Sequence, residues 1–208
     1  MDFPSRILLA TGSAHKVREI RAILRPLLPP GVELVGLADA GLGSPPPEVE
    51  RFRSFTGNAR AKAAWCREKS GLACIADDSG ICVDALGGKP GVRSARWAGP
   101  TDSDRNRRLV EELNRVGAVA ERQRTARFVC AAAYAGLDMD RPVVALGRVR
   151  GRILDRPEGA GGFGYDPLFY CPELGASFAE AGEAAKQRVS HRARALVRLL
   201  FVLRSPVL

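Results

Sequence analysis

The sequence predicts an α/β protein, because segments with the composition of buried strands alternate with segments whose apolar residues recur at helical spacing. Of the 208 residues, 46% are hydrophobic, which is enough for one good core divided into two lobes. We expect a single domain over residues 1–208, without an independent linker. No stretch approaches the roughly 20 apolar residues of a membrane-spanning helix.

The first 54 residues predict a strand, a helix, a second strand and a loop. RILLA, at residues 6–10, is aliphatic throughout, as in a buried strand. Residues 13–28 carry apolar side chains at helical spacing, and Ser13 is the candidate N-cap. VELVGL, at residues 32–37, is a candidate strand, and the Gly- and Pro-rich residues 38–54 are typical of a loop.

The middle of the chain predicts a helix, a strand, a loop and another helix. Residues 57–70 suit a helix that ends at Gly71, and a strand follows at residues 72–78. Residues 84–100 form a glycine-punctuated loop. TDSDRNRRLVEELNRVG, at residues 101–117, has Thr101 or Asp102 as its N-cap, an acidic first turn and a closing glycine, which together indicate a helix.

The last third predicts two long strands and a closing helix. Residues 125–137 and 142–154 have the composition of strands and are candidates for a hairpin. Residues 156–166 are rich in glycine. A final helix begins at about Ser190, and its leucines recur on one side.

The charge balance favours a polyanionic partner. Lys and Arg number 32 against 23 Asp and Glu, a net charge of +9, which suits a nucleic acid, a membrane surface or a phosphorylated small molecule. The five cysteines are odd in number and form no C-x-x-C pair, so we expect reduced, buried thiols in a cytoplasmic protein. The first residues lack the pattern of a signal peptide.

The segment ACIADDSG, at residues 73–80, places two carboxylates after an apolar run. Buried carboxylates are costly unless they are paired, hydrogen-bonded or bound to metal. A strand that stops at an ordinary turn is the simpler interpretation. Neighbouring strand residues point to opposite faces, so we expect Asp77 and Asp78 to do different jobs. A carboxylate at a cleft suits Mg²⁺, which prefers oxygen ligands.

The segment TGSAHK, at residues 11–16, lies between a predicted strand and a predicted helix. The N–H groups at a helix N-terminus attract anions, and Lys16 adds charge there. The alternative is a plain strand-to-helix turn with a solvated lysine.

The segment GGFGYDPLF, at residues 161–169, combines flexible glycines with flat side chains. Phe163 and Tyr165 offer faces on which a nucleobase can stack, and Asp166 offers an acceptor. The alternative is a turn whose aromatic side chains enter the core.

The segment KQRVSHRARAL, at residues 186–196, gathers basic and polar side chains just before and at a helix start. Lys186, Ser190, His191 and Arg192 at this positive end suit an anion. The alternative is a solvated basic helix entry.

The combination of segments is more specific than any one of them. TGSAHKVREI, NARAKA, ADDSGICVDALGGKPGVRSARWAG, GFGYDPLF and KQRVSHRARAL follow one another in this order. Together they resemble the inosine triphosphate pyrophosphatase family, Mg²⁺-dependent hydrolases of non-standard purine nucleoside triphosphates. The resemblance implies a long, twisted mixed sheet flanked by helices, with an active-site cleft between two lobes, in a cytoplasmic homodimer. It also implies hydrolysis of ITP, dITP and XTP to the monophosphate and pyrophosphate.

The resemblance also implies roles for individual residues. Asp78 would bind the metal and accept the proton of the attacking water, and Asp77 would support it. The triphosphate would be held by Thr11, Gly12, Ser13, Ala14, His15 and Lys16, with Lys62 and Lys186. Ser79 would also contact the substrate. The nucleoside would be framed by Phe163, Gly164, Tyr165 and Asp166, and the purine would be recognised by His191 and Arg192.

The second metal carboxylate is implied by counting along the family pattern. Counting back from Asn58 selects Glu50, and Glu48 is the alternative, on the same face if the segment is extended. Three positions depart from the pattern: Ser13 replaces asparagine, Phe52 replaces glycine and Gly57 replaces glutamate.

Two rival functions stay open at this point. The net charge of +9 suits a nucleic-acid-binding module, although carboxylates among the basic loops would repel phosphate in the absence of a metal. A pyrophosphatase acting on modified pyrimidine triphosphates would keep the chemistry and change the base. The pyrophosphatase prediction requires neither a stable nucleic-acid partner nor a membrane.

Overall fold

The computed structural model describes residues 3–205 and contains a seven-stranded sheet within them. The strands are β1 (Arg6–Leu9), β2 (Glu33–Val35), β3 (Ala73–Val83), β4 (Thr125–Ala135), β5 (Val143–Ile153), β6 (Phe169–Cys171) and β7 (Ala176–Ser177). Their order in the sheet is β2-β1-β3-β4-β5-β6-β7. β1 is parallel to β2 and β3, whereas β6 is antiparallel to β5 and β7. The predicted α/β class with a mixed sheet is confirmed.

Five α-helices flank this sheet within the described residues. They are α1 (Ala14–Leu24), α2 (Phe55–Ser70), α3 (Asp102–Arg115), α4 (Phe178–Val189) and α5 (His191–Arg204). The Ser13 side chain caps α1 as predicted, and Thr101 caps α3 in a reciprocal pair with Asp104. Gly71 ends α2 with a φ of +66°, a conformation that glycine adopts without strain. No helix in this part of the chain is long and apolar enough to cross a membrane.

β3 does not end at the paired carboxylates, so the prediction of a strand over residues 72–78 that stops at a turn is wrong. The strand continues through Asp77, Asp78 and Ser79 to Val83. Gly80 does not form a turn. It lets Gly91 and Ser94 approach the strand closely, because a Cβ at position 80 would lie 2.4 Å from both the Gly91 carbonyl oxygen and the Ser94 hydroxyl. Sheet pairing therefore overrides the turn preference of the local sequence.

The segment between residue 166 and α5 contains elements that were not predicted from the sequence. It contains β6, β7 and α4, and Lys186 lies in the last turn of α4, shortly before the start of α5. α4 is interrupted at Gly182, whose φ is +80°, and this break hides the helical period in the sequence. The predicted loop over residues 38–54 contains two short 3₁₀ helices, Ala38–Ala40 and Pro47–Glu50.

Spatial contacts divide the chain into two units. Unit 1 comprises the described residues up to Asp78, residues Cys130–Gly147 and the described residues from Arg192 onwards. Unit 2 comprises Ser79–Val129 and Arg148–His191. A single domain over residues 1–208 stays a prediction. All five cysteines are buried, as expected.

Unit 1 has an apolar core on each face of its strands. On one face Ile7, Leu9, Ala73 and Ile75 pack with α1 and α5, and on the other Leu8, Cys74 and Ala76 pack with α2. The alternation follows from the two-residue period of a strand. Continued along β3, it directs Asp77 towards α1 and α5 and Asp78 towards α2. Unit 2 has a core of its own, which includes Leu109, Phe128, Tyr165 and Phe169.

Candidate active site

Asp78 lies on β3 against helix α2 and is buried. Its Oδ2 accepts a hydrogen bond from Asn58 Nδ2 at 2.9 Å, and Asn58 Oδ1 accepts one from the Phe52 N–H at 2.9 Å. Burial raises the pKa of Asp78 to about 6, although the Asn58 hydrogen bond and the charges of Lys62 and Lys16 oppose the rise. A carboxyl group with this pKa is suited to accept a proton from water near neutral pH.

Lys62 lies one turn beyond Asn58 on the same face of α2 and carries its charge into the same region. Its Nζ forms an ion pair with Glu50 Oε1. Burial by itself lowers the pKa of Lys62, but the nearby carboxylates of Asp77, Glu50 and Asp78 outweigh that effect and raise it. Lys62 therefore stays protonated, and three carboxylates, Asp77, Glu50 and Asp78, lie within its electrostatic reach.

Glu48 and Glu50 do not share a face, so the extended segment considered for them is wrong. Both lie in the 3₁₀ helix Pro47–Glu50, in which three residues make one turn. Residues two apart in such a helix point in different directions. Glu50 pairs with Lys62, whereas Glu48 is exposed.

Asp77 lies on the opposite face of β3 and is fully buried. Its Oδ2 lies 3.2 Å from Lys16 Nζ and 3.1 Å from a guanidinium nitrogen of Arg192, which also pairs with Glu19. Burial alone would raise the pKa of Asp77, but the attraction of Lys16, Arg192 and Lys62 outweighs it and holds the pKa well below its usual range. Asp77 and Asp78 thus differ in environment as well as in direction.

The segment from Thr11 to Lys16 forms the start of α1. Thr11 Oγ1 accepts a hydrogen bond from the Ser13 N–H, and Ser13 Oγ accepts one from the Lys16 N–H. Gly12 lets the following loop approach, because a Cβ there would lie 2.4 Å from Ser44 Oγ. Three of these predicted triphosphate residues are exposed: Gly12, Ala14 and His15. Exposed residues at a positive helix end, next to Lys16, suit an anion.

The Gly-rich segment of unit 2, residues 161–166, is held by a buried ion pair. Asp166 Oδ2 accepts hydrogen bonds from Lys186 Nζ at 2.6 Å and from the Phe163 N–H at 2.9 Å. The Lys186 ammonium also lies 4.6 Å from the centroid of the Phe163 ring. Tyr165 is buried in the core and donates its hydroxyl proton to the Ser94 carbonyl oxygen at 3.0 Å, so its ring has the core position of the alternative interpretation.

The remaining predicted residues fall in both units. In unit 2, His191 is buried and stacks on Phe128 with ring centroids 4.6 Å apart, and Ser79 is half-buried on β3. In unit 1, Arg192 is buried among carboxylates, as described above. Unit 1 therefore brings together Lys16, Lys62, Asp77, Asp78, Glu50 and Arg192. The predicted residues that belong to unit 2 are Ser79, Phe163, Gly164, Tyr165, Asp166, Lys186 and His191.

Comparison with known proteins identifies the family. The model of the Ham1 family matches residues 7–202, nearly the whole chain. The chain belongs to the Ham1 family.

Relatives of this Ham1 protein share one name. A dITP/XTP pyrophosphatase of Thermus thermophilus is 46% identical, over 94% of this chain and 90% of that protein. A dITP/XTP pyrophosphatase of Haemophilus influenzae is 42% identical, over 92% and 95% respectively. The solved structure of a HAM1 protein from Coxiella burnetii has a TM-score of 0.82 at 33% identity, over 95% of this chain and 98% of that one. The predicted family membership is confirmed.

Two of the departures noted in the sequence of this Ham1 protein lie against each other. A Cβ at Gly57 would lie 2.8 Å from Phe52 Cβ and 2.9 Å from Phe52 Cγ. Glycine at position 57 therefore makes room for the phenylalanine at position 52. The Phe52 N–H in turn binds Asn58, so the paired change sits next to the amide that contacts Asp78.

Sequence reasoning did not assign roles to two buried residues of this Ham1 site, Asn58 and Glu19. The spacing of Asn58 and Lys62, four residues apart within a predicted helix, was the available signal for the first. Glu19 had no comparable signal, because its partner Arg192 is 173 residues away in the chain.

Proposed function

We propose that this Ham1 protein is a nucleoside triphosphate pyrophosphatase. It hydrolyses the non-standard purine nucleotides ITP, dITP and XTP to the monophosphate and pyrophosphate, and so removes them from the nucleotide pool. The observation that carries the proposal is Asp78, a buried carboxyl group with a pKa raised to about 6 that lies beside Asn58, Lys62 and Glu50. The chain belongs to a family whose relatives are named dITP/XTP pyrophosphatase, and this membership suggests the reaction in which that carboxyl group takes part.

In the proposed reaction a water oxygen bonds to the α-phosphorus, and the bond from that phosphorus to the oxygen bridging to the β-phosphate breaks. Asp78 takes the proton of the attacking water, which its pKa allows near neutral pH. Lys16, Lys62 and Lys186 are proposed to stabilise the charge that develops on the departing pyrophosphate. The start of α1 is proposed to hold the phosphates, because a helix N-terminus attracts anions.

The chemistry of the donor set fits a magnesium ion. Asp78 and Glu50 both offer carboxylate oxygens, the ligand type that Mg²⁺ prefers, and each interacts with Lys62 and with the other through its charge. Within residues 3–205, no group of three or more His, Cys, Asp or Glu side chains could hold a metal, so substrate phosphates would complete the ligands. When bound, Mg²⁺ would neutralise phosphate charge.

Glu50→Gln is expected to raise the Mg²⁺ concentration that gives half-maximal activity. The variant keeps the shape of the side chain and removes one of the two carboxylates proposed for the metal, the one that pairs with Lys62. Glu48→Gln, the matched control, removes an exposed carboxylate of the same 3₁₀ helix and should have little effect. Activity against Mg²⁺ concentration, together with calorimetric titration of Mn²⁺ into each variant, measures the difference. The reverse pattern would assign the metal to Glu48.

The products identify the bond that is cleaved. Incubation of ITP with the protein and Mg²⁺ is expected to yield inosine monophosphate and pyrophosphate, which chromatography and a pyrophosphate assay detect. The appearance of inosine diphosphate and orthophosphate would place the attack at the γ-phosphorus and contradict the proposal. The same assay over a panel that includes XTP, ATP and modified pyrimidine triphosphates tests the preference for the purine.

We also propose that the protein acts as a cytoplasmic homodimer, without a stable nucleic-acid or membrane partner. Light scattering of the purified protein tests the dimer. Binding to random DNA, measured without Mg²⁺ over a range of salt concentrations, tests the nucleic-acid alternative that the net charge of +9 suggests.

A further inference from the structure

Helix α3 holds one glycine of the Gly-rich segment by both of its main-chain polar groups. Asp102 Oδ2 accepts a hydrogen bond from the Gly164 N–H at 2.6 Å, and Asn106 Nδ2 donates one to the Gly164 carbonyl oxygen at 3.0 Å. Asp102 and Asn106 are four residues apart, so both side chains leave the same face of the helix. All three residues belong to unit 2.

The conformation of this segment needs such support. Gly162 and Gly164 have φ values of +74° and +65°, and glycine loses more conformational freedom on ordering than any other residue. Asp166 fixes the segment from within, through its bond to the Phe163 N–H. The segment also borders a cavity of about 550 Å³, together with α3 and residues 155–157. Hydrogen bonds from α3 therefore take the place of close packing there.

Helix α3 is itself firmly anchored. Leu109 and Leu113 are completely buried in the core of unit 2. Thr101 and Asp104 cap the first turn reciprocally, so the helix start from which Asp102 projects is fixed. Asp102 also pairs with Arg105, which orients its carboxylate.

We infer that Asp102 and Asn106 are positioning residues that set the affinity of the enzyme for the nucleoside part of its substrate by fixing Gly164. The inference rests on the proposed function, in which Phe163, Gly164, Tyr165 and Asp166 frame the nucleoside. Neither side chain takes part in the chemical step. Without the two bonds the substrate must order the segment as it binds, which weakens binding and leaves the step at phosphorus unchanged.

The test compares Asp102→Ala, Asp102→Asn and Asn106→Ala with the wild type. Hydrogen bonds to charged groups contribute about 1.5–3 kcal/mol, so Asp102→Ala should raise the KM for ITP by about 10-fold or more, with kcat within about threefold. Asp102→Asn retains an oxygen that can accept the Gly164 N–H and should restore most of the affinity. Asn106→Ala should raise KM in the same way. It should fold, because Asn106 Oδ1 has no hydrogen-bond partner among the described residues, so the truncation takes a donor only from the Gly164 carbonyl oxygen.

Asp104→Ala is the matched control. It removes a capping carboxylate from the same helical turn, but the main-chain N–H of residue 104 can still donate to Thr101 Oγ1, so the helix start stays capped and both bonds to Gly164 remain. If α3 acted only through stability, this variant would raise KM as much as Asp102→Ala at a similar fall in Tm. We expect a lower Tm and an unchanged KM.

Two ligands separate the nucleoside from the phosphates. Asp102→Ala should weaken inhibition by inosine monophosphate, which carries the nucleoside, and leave inhibition by pyrophosphate unchanged. If the wild type is active and the KM is unchanged in both Asp102→Ala and Asn106→Ala, the inference is wrong and the proposed function still stands. Equal weakening of both inhibitors would also overturn it. A wild type that releases no pyrophosphate from ITP would overturn the proposed function on which the inference rests.

Discussion

Asp78→Asn is expected to reduce kcat by about 10²- to 10⁴-fold, the usual contribution of a general base. Asparagine keeps the shape of the side chain and the oxygen that accepts the Asn58 hydrogen bond, but it cannot take a proton from water. It also removes one of the two carboxylates proposed for the metal. Steady-state pyrophosphate release from ITP at saturating Mg²⁺ measures the loss.

The same variant is expected to be at least as stable as the wild type in metal-free buffer at pH 8. The pKa of Asp78 is raised from 3.8 to about 6 by folding, so its contribution to stability is fully present below pH 4 and is lost as the pH rises through 6. At pH 8 the buried charge therefore costs up to roughly 3 kcal/mol, at 1.36 kcal/mol for each pH unit. Asparagine removes that cost.

Thermal unfolding with EDTA at pH 8, 6 and 4 measures the difference in stability. The advantage of Asp78→Asn over the wild type should shrink as the pH falls and vanish near pH 4. A large fall in Tm together with the loss of activity would mean that Asp78 is a structural carboxylate. If the Asp78→Asn variant is active, Asp78 is not the proton acceptor.

The alternation of side chains along β3 was predictable because it depends only on the two-residue period of a strand. That period placed Asp77 and Asp78 on opposite faces before any contact was known, and the contacts with Arg192 on one side and Asn58 on the other agree with it. The helix caps at Ser13 and Thr101 were predictable for a similar reason, since they depend on residues three positions away.

The length of β3 was not predictable from local sequence. Asp, Ser and Gly prefer turns, and only the packing of Gly80 against Gly91 and Ser94 explains a strand that passes through them. Nor does local sequence reveal that Asn58 joins Asp78 to the Phe52 main chain, because the three lie in separate segments that meet only in the fold. The break at Gly182 hid α4 in the same way, by interrupting its period.

Asp77→Asn is expected to lower the free energy of unfolding by about 3–5 kcal/mol, the usual effect of removing one partner of a buried ion pair. Asp77 is fully buried, and its charge balances Lys16 at 3.2 Å and Arg192 at 3.1 Å. Asparagine fits the space but leaves both cations without that charge, and Glu19 alone then opposes Arg192. Glu33→Gln, which breaks an exposed pair with Arg6, is the control and should change stability by less than about 1 kcal/mol.

The pH dependence of Asp77→Asn should be opposite in sign to that of Asp78→Asn. The pKa of Asp77 is held well below 3.8 in the folded protein, so its contribution to stability is fully present above about pH 4 and is lost progressively as the pH falls from there towards the low pKa of the folded state. Denaturant unfolding should therefore show a large deficit for Asp77→Asn at pH 7 that narrows at pH 3. Activity measured well below the Tm should fall less than in Asp78→Asn, because Asp77 faces α1 and α5 and not the carboxylates of the proposed metal site. If Asp77→Asn and Asp78→Asn lose kcat equally and keep their stability, the two adjacent aspartates share one catalytic role.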